Sequence, residues 1–129
     1  MHLPFTHKKL TEVKDSAPEF GIGEIQEARF AKDDLDAERT GLSHLRLKPG
    51  KRSPFGHKHD EAEEIYVVIA GSGRMKLDDE IIEVEILDAI RVSPEVVRAF
   101  EAGDDGLEVI AMGSRHDGDG ELVQDWWSD

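Results

Sequence analysis

Short β-branched and aromatic runs, closed by glycine, proline or aspartate at close intervals, constrain this chain more than any other feature. Glu64 to Ala70 (EIYVVIA) is the strongest of them and is too short to be a helix of ordinary length. Leu42 to Leu47 precedes it and stops at Lys48-Pro49-Gly50. Arg74 to Leu77, Glu80 to Ile86, Asp88 to Val92, Val96 to Phe100 and Leu107 to Met112 follow. Turn signals stand between them: Gly71-Ser72-Gly73, the two-residue Asp78-Asp79, Ser93-Pro94, and the acidic turn Gly103 to Gly106. Strands at a spacing of roughly 8–12 residues with no long amphipathic helix predict an all-β sandwich or barrel. Before Leu42 the chain is irregular, with Pro4, Pro18, Gly21 and Gly23 breaking any period and one short strand within Gly23 to Phe30. The expected organisation is an N-terminal arm over 1–41 packing on the barrel, a barrel over 42–113 and a tail over 114–129. Within the tail, Arg115 to Gly120 is polar and Gly-rich, and Glu121 to Trp127 regains an ordered pattern.

Composition narrows the function. The chain has 129 residues, enough for one domain, and a formal charge of −13. That charge repels polyphosphates and anionic lipid surfaces, so nucleic acid and membrane are excluded as expected partners. There are no cysteines, which removes disulfides, thiolate zinc sites and cysteine nucleophiles. No apolar run at Met1 to Leu10 suits a signal peptide, and none elsewhere suits a bilayer span, so the expected location is cytoplasmic.

Three residues carry chemistry: His57, His59 and Glu64. Side chains two apart on an extended segment share a face, so both imidazoles can reach one point. Glu64 opens the next strand and joins them if that strand pairs back. Two histidines and one carboxylate with open positions suit a divalent transition metal, iron, manganese, nickel or zinc. Two histidines in a solvated acidic loop are the plainer alternative.

The spacing of Gly50, His57, His59, Glu64 and Gly71 resembles the first motif of the cupin superfamily, with one extra residue after Gly50. The resemblance covers about residues 42 to 113. It implies a double-stranded β-helix, or jelly roll, with a metal inside the barrel. It also implies homodimers paired through outer sheets. The second motif aligns on Ser93 to Phe100, with Asp88 and Phe100 in place. Arg98 stands where the fourth ligand, a histidine, belongs. Glu95, Leu87 and Ala102 replace the motif's Gly, an upstream Gly and Asn, and the nearest other histidines are His44 and His116.

A guanidinium cannot ligate a cation. Three outcomes stay open for Arg98. It can hold an anionic ligand or a bound water beside a three-ligand metal. It can replace the metal and pair with Glu64. Or it points to solvent and the register is wrong. Tyr66 shares the face of Glu64 and is a candidate acid, or simply a core aromatic; Arg98 is the other catalytic candidate. Val68 and Phe100 are expected as apolar wall. His44 and Arg46 are expected on the outer face, and one of Trp126 and Trp127 against the barrel or a second subunit. Two readings follow: a metal-dependent enzyme acting on a small organic molecule, with anionic compounds among the candidates, and a small-molecule-binding barrel without metal or catalysis.

Overall fold

In a computed structural model of the protein, residues 4–114 and 118–129 are described; Arg115, His116 and Asp117 lie outside them. Eight strands form one curled, entirely antiparallel sheet: β1 (Gln26–Phe30), β2 (Thr40–Leu47), β3 (Gly56–His59), β4 (Glu64–Leu77), β5 (Glu80–Glu85), β6 (Ala89–Val92), β7 (Arg98–Ser114) and β8 (Gly120–Val123). β7 is the spine. Its C-terminal half pairs with β2 on one side and β4 on the other, and its first residue reaches β3. β4 in turn pairs with β5 and β6, closing the barrel wall. β1 extends the sheet beyond β2, and β8 extends it beyond β3. No helix among the described residues is long and apolar enough to cross a membrane.

Alternation along β4 sets the core. Glu64, Tyr66 and Val68 face inward, Tyr66 and Val68 fully buried, while Ile65 and Ile69 stay partly exposed outside. Val68, Met75, Phe100, Leu107 and Val109 pack with Tyr66 as one apolar cluster. A smaller cluster of Ala17, Ile22 and Ala28, with Leu45 and Phe55 against it, ties the N-terminal segment to the barrel. The Asp78-Asp79 hairpin forms as expected, Leu77 pairing with Glu80.

Two expected turns are not turns. β4 runs straight through Gly71-Ser72-Gly73, and β7 through Gly103 to Gly106. The two strands pair with each other through this stretch, and the register slips between Gly71 and Gly73 as β7 bulges. A Cβ on Gly71 would lie 2.0 Å from the Gly106 carbonyl oxygen, and one on Gly73 would lie 2.0 Å from that of Glu101. These glycines permit close backbone approach rather than chain reversal. Turns run from Lys32 to Asp36, in the stretch before Leu42 that reads as irregular in the sequence.

Candidate metal centre

β3 presents His57 and His59 from one face, their rings edge to face at 5.3 Å. β3 is short because Pro54 precedes it and an acidic loop follows. Glu64 enters from the first residue of β4, paired with Val92 and Gly113. The three meet as the spacing predicts. Nε2 of His59 lies 3.0 Å, and Nε2 of His57 3.4 Å, from Glu64 Oε1. One ligand atom from each residue falls within 4.8 Å of the others, a grouping able to hold a metal ion.

The same carboxylate oxygen has two more partners. Tyr66 donates its hydroxyl to Glu64 Oε1 at 2.7 Å and stands 3.3 Å from His57 Nε2. Its ring packs edge to face on Phe100 at 5.2 Å, so it is at once core aromatic and polar contact. Arg98 donates from Nη1 to Glu64 Oε1 at 3.2 Å and from Nη2 to the Ser93 carbonyl at 2.7 Å, while its Nε has no partner among the described residues. Arg98 is 0 % exposed and stands opposite His57 in the ladder, so the solvent-facing alternative is wrong. The pair with Glu64 is single, not bidentate.

Electrostatics follow from these contacts. Burial opposes ionisation of Glu64, but hydrogen bonds with His57, His59 and Tyr66, and the charge of His57, outweigh it and hold the carboxyl well below the usual range. Burial, with the Glu64 charge behind it, pushes the Tyr66 hydroxyl well above a normal phenol. Tyr66 therefore stays a neutral proton donor.

Asp119 was not foreseen. Its buried carboxylate accepts the backbone N–H groups of Asp60, Glu61 and Ala62 at 2.7, 2.9 and 2.9 Å. Burial again opposes its ionisation, and those three N–H groups overcome it and lower its pKa. They also fix the loop between His59 and Glu64. Oδ2 of Asp119 lies 3.4 Å from Nδ1 of His59 without completing a hydrogen bond. Its only sequence signal is the turn string Gly118-Asp119-Gly120, which says nothing of what it caps. His44 and Arg46 face away from the cluster, as expected, although His44 is buried by its 2.6 Å contact with Glu108. Both tryptophans settle on the chain's own barrel. Trp127 donates to the Ser53 carbonyl at 2.7 Å under the Arg52 guanidinium, and Lys76 lies 4.2 Å over Trp126.

The cluster forms the floor of a cavity of about 600 Å³ whose wall includes residues of β1, β2, β3 and β8. Phe100 lines it, with Val68 in the core behind.

No family model and no curated protein matches the chain. Solved structures do. A cupin protein from Bacteroides fragilis is 21% identical over 91% of this chain and 89% of its own, with a TM-score of 0.70. The polyketide cyclase RemF from Streptomyces resistomycificus is 19% identical over 96% and 87%, with a TM-score of 0.74. A sugar phosphate isomerase of the cupin superfamily from Silicibacter pomeroyi is 16% identical over 79% and 78%, with a TM-score of 0.65. The protein is thus a β-barrel with the cupin fold. Its His-His-Glu cluster fits a metal-binding member of that class, and these likenesses carry the fold rather than any one activity.

Proposed function

We propose that this barrel binds a divalent transition metal through His57, His59 and Glu64 and places it at the floor of a small-molecule cavity. The observation that supports this reading most directly is the spacing of the donor atoms. Ligands at right angles on a metal with bonds of 2.0–2.2 Å stand about 3.0 Å apart. The His59-to-carboxylate distance of 3.0 Å matches that edge, and the His57 distance of 3.4 Å exceeds it slightly. The environment of His59 adds weight. Carboxylates flank both ring nitrogens, Asp119 at Nδ1 and Glu64 at Nε2. With a metal bound, a proton on Nδ1 would face Asp119 and the Nε2 lone pair would be free for the cation beside Glu64.

Iron, manganese, nickel and zinc all suit this donor set. When bound, the metal would supply Lewis-acid polarisation of a ligand oxygen. The chain's own residues would do the rest. Tyr66 holds a proton at its hydroxyl, 2.7 Å from Glu64, and Arg98 keeps a fixed positive charge at the rear wall. Together they favour a ligand whose inner end is an oxygen carrying partial or full negative charge.

A second reading rests on Arg98 itself. Its contact with Glu64 already neutralises the carboxylate, so the barrel would bind its ligand without metal or catalysis. Elemental analysis of untagged protein separates the two. Bound metal, or uptake of added iron, manganese, nickel or zinc near one equivalent, is expected. Less than about a tenth of an equivalent with no uptake on addition leaves Glu64 balanced by the protein's own cationic groups and refutes the metal reading.

A further inference from the structure

The cavity has two chemically distinct zones. The floor is the polar cluster of His57, His59, Glu64, Tyr66 and Arg98. From there to the mouth the wall is largely apolar, with Leu45, Phe55 and Ile22 leading outward to Phe20 and Phe30. Phe20 and Phe30 meet edge to face at 6.4 Å and remain 54% and 47% exposed. They sit on the 3-10 turn Ala17–Phe20 and on β1, elements whose Ala17 and Ala28 belong to the small apolar cluster around Ile22 rather than to the barrel core.

We infer that the ligand of this site is a flat, ring-bearing, largely apolar molecule that enters oxygen-first, its phenol, enol or keto oxygen on the polar floor and its rings between Phe20, Phe30 and Phe55. This rests on the proposed small-molecule function and specifies its ligand class. The size suits it, since a cavity of about 600 Å³ lies within the usual range for sites that enclose a drug-sized molecule. The wall suits it too. Aromatic side chains offer stacked and edge-on contacts to a ring, and covering Phe20 and Phe30 removes exposed apolar surface from water.

Phosphorylated sugars and small diacids suit the cavity less. A sugar phosphate needs cations and hydroxyl partners along the wall. Of the cationic residues lining the cavity, Arg98 is committed to Glu64 and Ser93, and Lys32 at the rim stands 3.5 Å from Asp33. A formal charge of −13 adds a repulsive background for a dianion. A diacid the size of oxalate would occupy the floor alone and leave the three phenylalanines without a role.

The test uses the full-length protein with 2-naphthol as probe and ribose 5-phosphate as competitor class. Each is titrated by calorimetry, with and without manganese. The F20S/F30S double variant is the partner sample; both rings are about half exposed, so the fold survives their loss. We expect one saturable naphthol site and at least about tenfold weaker binding of ribose 5-phosphate. We expect the double variant to lose about tenfold in naphthol affinity while its manganese uptake is unchanged. Equal or tighter binding of ribose 5-phosphate, absence of naphthol binding, or unchanged naphthol affinity in the double variant overturns the inference. The metal reading is scored separately: naphthol binding that depends on Phe20 and Phe30 without manganese uptake removes the metal and keeps the ligand class. Uptake without naphthol binding does the reverse.

Discussion

Replacing Arg98 by methionine tests how the charge in the barrel is balanced. Methionine keeps much of the length and none of the charge. The guanidinium lies 3.2 Å from Glu64 Oε1 and is wholly buried. As point charges at an effective dielectric of about 20, that pair is worth about 5 kcal/mol. Removing the guanidinium also removes its own burial cost and frees the Ser93 carbonyl, so the net loss should be about 3 kcal/mol, the low end for breaking a buried pair. For a domain of this size that is a fall of about 10 °C in Tm in the presence of EDTA. Manganese should then bind about a hundredfold more tightly than to the wild type, since a dication can neutralise Glu64 with no guanidinium beside it. Thermal unfolding by circular dichroism with EDTA and with manganese, plus calorimetric titration of the metal, reads both quantities. A variant that melts within about 2 °C of wild type in EDTA, or whose metal affinity stays within about threefold, would show that Arg98 does not carry the compensating charge.

Two further predictions concern stability. Leu87 holds a left-handed backbone, φ +69°, with its side chain 78% exposed. Leu87→Gly relieves a strain of about 1–2 kcal/mol at an entropic cost of up to about 1 kcal/mol, so Tm should rise by about 2–4 °C; a fall would refute the account. Acid should destabilise the metal-free protein through Glu64, Asp15 and Asp119, all held below their ordinary pKa values. Groups lowered on folding add stability that is full above their unfolded values and lost as pH falls through the folded ones. The urea midpoint should therefore decline as pH drops below the unfolded values of 3.8 for aspartate and 4.5 for glutamate. The Glu64 share should be missing in Glu64→Gln, and equal acid sensitivity in that variant would remove Glu64 from the explanation.

The site was legible in the sequence where it depends on alternation within a strand. His57 and His59 share a face because they are two apart, and Glu64 and Tyr66 share one for the same reason. The second-motif alignment singled out Arg98, and the ladder sets it opposite His57. What a sequence leaves open is which backbone a glycine lies against. Gly71-Ser72-Gly73 and Gly103 to Gly106 read as turns because turns and close crossings ask for the same residue. Only the fold shows that each group faces the other strand. Asp119 escaped notice for a related reason. Its partners lie 57 to 59 residues earlier, and no local pattern reports so distant a cap.

The pairing of β8 with β3 bears on how this molecule is handled and regulated. The strand that carries both histidines meets β7 at a single residue pair, whereas four residue pairs join it to β8. The end of the chain, with Asp119 and the two tryptophans pinned on the barrel, thus acts as the site's outer buttress. Order in that terminus and occupancy of the cavity are thermodynamically linked, and the linkage runs both ways. Whatever grips the last strand tightens the imidazole pair, and whatever fills the cavity slows the fraying of the terminus.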